Sequence, residues 1–132
     1  MKQLFVDTSA WYAFVNQKDP DHSKVSEYLR QFRGILVTSN FVFDEVVTLV
    51  LTRTNHTLAA KIGNLLMDST TVVLLPVTEE DQQQAWRFFK KMSDKNYSFT
   101  DCTSFILMKR LYLTVALTLD SHFTQAGFHR VP

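Results

Sequence analysis

The sequence predicts an α/β fold: a central parallel sheet of about four or five strands with helices on both faces. Three observations predict it. Short apolar runs (LFV, ILV, VVLL, VALTL) alternate with longer segments of helical pattern. Turn or capping residues punctuate that alternation. A length of 132 residues with 45% apolar residues and 11 Phe suits one well-cored domain and is too short for two of ordinary size.

The elements follow in order. Residues 4–6 (LFV) read as a short buried strand, and SAWYAFVN follows at once as a helix. After the Asp19-Pro20 turn, HSKVSEYLRQF reads as a second helix, which Gly34 ends. Residues 35–37 (ILV) form the second strand. Ser39 is a suitable N-cap for a long helix to about Arg53, and residues 58–67 continue as a further helix. VVLL is the third strand, closed by Pro76. Residues 78–91 are helical, and Thr78-x-x-Asp81 resembles a capping box with Asp in place of Glu. Thr100 is placed as the cap of a helix through Leu111, and residues 115–119 (VALTL) as the fourth strand. A short helix near His122 and a final strand over 128–131 complete the pattern. With no internal repeat, linker or low-complexity stretch, residues 1–132 read as a single domain.

Composition narrows the function classes. A net charge of +1 and a pI near 7.9 argue against a protein held on nucleic acid by charge alone. They leave room for a nucleic-acid enzyme, because a metal-loaded carboxylate cluster becomes much less negative. Charges break the apolar stretches too soon for a membrane span. The N-terminus lacks the apolar region and cleavage site of a signal peptide, and the lone Cys102 excludes an internal disulfide. A cytoplasmic location is the resulting expectation.

Four acids stand where apolar segments end or break: Asp7 after LFV, Glu45 within FVFDEVVTLVL, Asp101 in SFTDC, and Asp120 after VALTL. A carboxylate among core residues costs several kcal/mol unless it has a partner or a metal. No Lys or Arg lies close in sequence to Asp7 or Glu45. Asp7 and Asp120 fall just past strand ends, the edge where open α/β sheets bind ligands. A shared divalent-cation site is the simplest way to place all four. Each acid taken singly has a plainer reading. Asp101 suits a first helical turn, and Asp7 and Asp120 suit turns or N-caps. Glu45 faces Phe41, Val42, Thr48 and Leu49 at helical spacing, a stripe with no cation. Asp44 competes with it, with Asn40 and Thr48 as neighbours, and Glu45 is preferred. Hard carboxylate oxygens suit Mg²⁺ or Mn²⁺, and no His or Cys cluster argues for zinc.

VDTSAW, the helix carrying DEVV, SFTDC and ALTLDSHF together resemble the PIN domain, and within it the single-domain VapC-type toxins. The resemblance covers essentially the whole chain. It implies a three-layer sandwich of helices around a parallel sheet, and a metal-dependent ribonuclease. Asp7, Glu45, Asp101 and Asp120 match the family's acidic quartet, Ser9 the hydroxyl after the first acid, and Thr118 the hydroxyl before the last. Asp7, Asp101 and Asp120 are then the expected metal ligands, and Glu45 ligates or orients the water. Ser9 and Thr118 support the ligands, or simply bond backbone as such hydroxyls usually do. The resemblance also implies RNA as substrate, a separate antitoxin protein as partner and a homodimer. Phe41, Phe43, Phe88 and Phe89 could supply an apolar interface, or pack the core.

The remaining residues carry less. Arg87, Lys90, Lys91 and Lys95 form a basic run before Asp101 that could bind RNA phosphates, although such runs are usually solvated helix faces. His122 could contact RNA but reads first as a satisfied helix-start residue. Cys102 reads as a small buried hydrophobe, and Trp11, Tyr12 and Phe14 as core or dimer contact. Two rival functions stand beside the nuclease. One is a non-catalytic PIN-fold module that binds RNA or protein. The other is an aspartyl-phosphate phosphatase using Asp7, which would want a second Asp where Ser9 stands.

Overall fold

The computed structural model describes residues 2–132. Among them the chain runs β1 (Gln3–Val6), α1 (Thr8–Val15), α2 (His22–Gln31), β2 (Ile35–Ser39), α3 (Asn40–Arg53), α4 (His56–Asp68), β3 (Val72–Leu75), α5 (Glu79–Lys91), α6 (Phe99–Arg110), β4 (Val115–Leu117), α7 (His122–Gln125) and β5 (His129–Val131). The five strands form one sheet in the order β3-β2-β1-β4-β5, and every pairing is parallel. Leu4, Phe5 and Val6 of β1 are all buried. Successive strand residues point to opposite faces, so both faces of β1 are covered, as a parallel sheet requires.

The chain steps outward from β1 through β2 to β3, then crosses to build β4 and β5 on the other side. β1 and β4 therefore diverge at a topological switch point, where their C-terminal ends leave a crevice. Gly34 helps set the register on the β2 side. Its φ is +154°, and a Cβ there would sit 2.3 Å from the Lys2 carbonyl oxygen. That same oxygen accepts the Ile35 N–H at 2.9 Å and starts the β1–β2 pairing. Any other side chain would push the two strands apart.

Aromatic packing accounts for many of the phenylalanines. Phe105 of α6 meets Phe123 at 5.0 Å, Tyr97 at 5.1 Å and Phe128 at 5.7 Å between ring centroids. Phe88 also belongs to this group, stacked on Tyr97, whereas Phe89 is exposed. Trp11 is buried and donates from Nε1 to Thr38 Oγ1, which in turn donates to the Val6 carbonyl. No helix among the described residues is long and apolar enough to cross a membrane.

Element boundaries differ from the sequence reading in three useful places. β2 runs on to Ser39, which also caps α3 by accepting from Val42 N. β4 stops at Leu117, and Thr118 just after it still donates its N–H to the Val131 carbonyl while its hydroxyl turns to Asp7. Thr100 does not cap α6; Ser98 does. Ser98 has an acid three residues on and Thr100 has Thr103, so only Ser98 can complete a capping box. At the far end, Tyr112 adopts φ 57° where glycine is usual, while Leu113 N bonds to Met108 O and closes the helix.

Candidate active site

The acids converge at the crevice between β1 and β4. A cleft of about 260 Å³ is lined by Asp7, Thr8, Ser9, Glu45, Leu49, Asn96, Ser98, Asp101, Asp120 and His122. All four predicted carboxylates are there, and no Lys or Arg is among the lining residues. A larger cavity lies elsewhere, about 840 Å³ beside Phe14, Ile62 and Leu65, and none of the four acids lines it. Chemistry therefore favours the smaller cleft.

Asp7 leaves β1 and holds the N-cap position of α1 without capping it through its side chain. Its Oδ2 instead accepts from Thr118 Oγ1 at 3.0 Å and Ser9 Oγ at 3.2 Å. Ser9 Oγ accepts from Leu119 N at 2.9 Å, and Thr118 Oγ1 accepts from Asp120 N at 3.0 Å. Both hydroxyls thus bond backbone and carboxylate at once. They tie the end of β1 to the end of β4.

Asp101 sits in the first turn of α6, where its Oδ2 accepts the Ser98 N–H at 3.1 Å. The same oxygen lies 3.0 Å from His122 Nδ1, and Asp120 Oδ2 lies 3.3 Å from that nitrogen. Asp120 Oδ1 accepts His122 N at 2.9 Å. His122 is therefore part of the acid cluster rather than a bystander at a helix start. This role is absent from the sequence reading. The available signal was the spacing of two from Asp120 at a strand end.

Glu45 lines the cleft half-buried, while Asp44 is exposed on α3. Arg87, Lys90 and Lys91 lie exposed on α5, and Lys95 is exposed beside Asp94 at 3.8 Å. None of the four cations lines the cleft.

The electrostatics match a crowded set of like charges. Burial, then the neighbouring Asp101 charge, pushes the Asp7 carboxyl up to about 7 against the opposing bonds from Thr8 and Thr118; Glu45 adds to the rise. Burial likewise raises Asp101, helped by Asp120 and opposed by hydrogen bonds from His122 and Ser98. Burial and then Asp101 lift the Cys102 thiol to about 11, which leaves it an unreactive core residue.

A carboxylate cluster whose cleft no Lys or Arg lines fits a divalent cation by its donor chemistry. Donor atoms of Asp101, Asp120 and His122 all lie within 4.8 Å of one another.

The PIN domain profile matches residues 4–129. The chain belongs to the PIN domain family. This PIN domain is 34% identical over 128 residues to the 23S rRNA-specific endonuclease VapC20 of Mycobacterium tuberculosis, spanning 97% of each chain. It is 30% identical over 122 residues to Ribonuclease VapC26 of the same organism, spanning 92% of this chain and 90% of that one. The crystal structure of VapC20, described as a sarcin-ricin loop cleaving toxin, superposes with a TM-score of 0.94 at 33% identity, covering 97% of this chain and 98% of that one. VapBC2 of Rickettsia felis shares the fold at a TM-score of 0.71 and 9% identity, over 98% of each chain. The PIN fold settles the expected architecture of a parallel sheet between helices and sets aside the aspartyl-phosphate phosphatase.

Proposed function

We propose that this PIN domain is a divalent-metal-dependent endoribonuclease acting in the cytoplasm as the toxin of a VapBC-type toxin–antitoxin pair. The observation that carries the reading is the convergence of Asp7, Glu45, Asp101 and Asp120 in one cleft that no Lys or Arg lines. Identity to a 23S rRNA-specific endonuclease over nearly the full length supports it, and makes ribosomal RNA the first substrate to test.

Asp7, Asp101 and Asp120 would hold Mg²⁺ or Mn²⁺. Bound there, the cation supplies Lewis-acid charge for the phosphodiester and a more acidic water. Glu45, on the neighbouring helix, would either ligate the cation or orient a water beside it. Ser9 and Thr118 fix one face of Asp7 by donating to its Oδ2. That leaves Asp7 in a single orientation when RNA enters.

Purified protein, freed of any copurified antitoxin, should cut total RNA or ribosomes in Mg²⁺ or Mn²⁺ and lose the activity in EDTA. Thr118→Val keeps the shape and drops the hydroxyl, and should lower the rate about 10-fold. No cutting by folded protein would favour the non-catalytic PIN module. Two variants on α3 test the choice of acid. Glu45→Gln should lower the rate by at least about 10²-fold, while Asp44→Asn should leave it within error. The reverse order would move the role to Asp44.

Arg87, Lys90, Lys91 and Lys95 are the proposed contacts to RNA phosphates outside the cleft. Replacing all four with Gln should weaken RNA binding and flatten its salt dependence, by about 0.7 in log–log slope for each phosphate no longer neutralised. An unchanged slope would mark them as a solvated face. A homodimer and a separate antitoxin chain are the proposed partners. Trp86 and Phe89 are both exposed and stack at 5.5 Å, which supports an apolar interface near α5. Light scattering that returned a monomer mass at micromolar concentration would remove the dimer.

A further inference from the structure

His122 is oriented for more than a hydrogen bond to its neighbours. Its Nδ1 lies 3.0 Å from Asp101 Oδ2 and 3.3 Å from Asp120 Oδ2. Adjacent ligands of an octahedral Mg²⁺-sized ion sit about 3 Å apart, because each bond is about 2.1 Å long. With the neutral ring's one proton on Nε2, the imidazole Nδ1 occupies the place of a third donor beside the two carboxylates. Its ring is held there. The His122 backbone N–H donates to Asp120 Oδ1 at 2.9 Å, and the buried Tyr97 ring packs edge-on against the imidazole at 5.4 Å.

We propose that His122 Nδ1 is a direct ligand of the cation held by Asp101 and Asp120, and that this nitrogen makes the site prefer Mn²⁺ to Mg²⁺. The inference rests on the metal-dependent reading above and deepens it. Mg²⁺ favours all-oxygen shells and gives up water reluctantly. Imidazole binds transition ions better, so one nitrogen in an otherwise oxygen site shifts selectivity toward Mn²⁺. His22, His56 and His129 do not line the cleft, so any nitrogen ligand of the bound ion is assigned to His122.

The test needs no substrate. Mn²⁺ is titrated into the full-length protein, binding is followed by electron paramagnetic resonance, and electron spin-echo modulation reports nitrogen bound to the ion. The wild-type protein should show ¹⁴N modulation that changes to the ¹⁵N pattern when histidine is ¹⁵N-labelled. His122→Gln should lose the modulation and weaken Mn²⁺ binding about 10-fold or more, while Mg²⁺ affinity, read by competition, moves about 3-fold or less. The labelled wild-type spectrum decides the ligand even if that variant folds poorly. Bound Mn²⁺ without nitrogen modulation, or equal losses for both ions, would overturn the proposal and leave His122 as a hydrogen-bonding clamp. No Mn²⁺ binding at all would overturn the metal-dependent reading with it.

Discussion

Asp7→Asn should abolish RNA cleavage and, in the same protein, raise stability at pH 8. Both effects come from one buried charge. In the unfolded chain an Asp carboxyl titrates near pH 3.9. In the fold, burial and the charges of Asp101 and Glu45 raise Asp7 to about 7. Below pH ~4 the group is protonated in both states and contributes nothing. Between pH ~4 and ~7 the folded protein keeps a proton that the unfolded chain has lost, so stability falls as pH rises. Above pH ~7 the penalty is complete, on the order of 4 kcal/mol for the metal-free protein. An Asn amide carries no charge, and its oxygen can still accept from Thr118 and Ser9. Urea unfolding in EDTA should therefore favour the variant by several kcal/mol at pH 8, with the gap narrowing toward pH 5. Adding Mn²⁺ should stabilise the wild type and not the variant, since only a state that binds the ion gains from it. Cleavage should fall by at least about 10²-fold. Equal stabilities at pH 8 would mean that Asp7 is not held as a crowded anion.

Arg110→Ala should destabilise the fold far from the cleft. Asp81 caps α5 with Thr78 and is 1% exposed. Burial alone would raise its carboxyl, but hydrogen bonds from Arg110 and Thr78 reverse this and hold it below the usual range. Arg110 supplies a two-pronged contact, Nε to Oδ1 at 3.0 Å and a second guanidinium nitrogen to Oδ2 at 2.9 Å. Removing the arginine leaves a buried anion with only its cap bonds, at a cost of about 2–3 kcal/mol. Asp81→Asn should cost less, about 1 kcal/mol, because half-exposed Arg110 can turn to water. The sign of the pH effect is opposite to that of Asp7. Asp81 stabilises fully above its unfolded value near 4, and that support is lost as pH falls through its lower folded value. Denaturant unfolding at pH 7 and pH 3 checks both points. RNA cleavage per folded molecule should not change, because Arg110 ends α6 at the opposite end from Asp101.

The contrast between these two sites shows what was legible in the sequence. Asp7 and Asp120 could be placed because a strand-end acid after an apolar run has a strong local pattern. The Thr78-x-x-Asp81 cap could be read for the same reason, and both of its bonds are present. Ser98-x-x-Asp101 has the same form, yet Thr100 is nearer the apolar stretch and drew the cap to itself. The bond between Arg110 and Asp81 joins residues 29 apart and leaves no local trace. His122 does begin α7 with its hydrogen bonds satisfied, but its contact with Asp101 depends on where α6 brings that acid, a tertiary fact. Glu45 over Asp44 was decided by the apolar stripe around it, and half-burial against exposure agrees. Phe88 shares the helical stripe of buried Asp81 and Ala85 and is half-buried, whereas Phe89 falls off that stripe and is exposed.

The sheet order has a consequence for the cell that makes this protein. β1 is made before the other strands of its sheet, but its neighbour across the crevice is β4, and Asp7 is bonded to a threonine 111 residues later. Asp101, Thr118, Asp120 and His122 all lie in the last third of the chain. A nascent polypeptide carrying only β1 to β3 has Asp7 and Glu45 but not the other half of the cleft. Cutting power should therefore arrive late, only when the C-terminal strands have cleared the ribosome and docked. Until β4 has docked beside β1, each new copy holds only half of its acidic cleft.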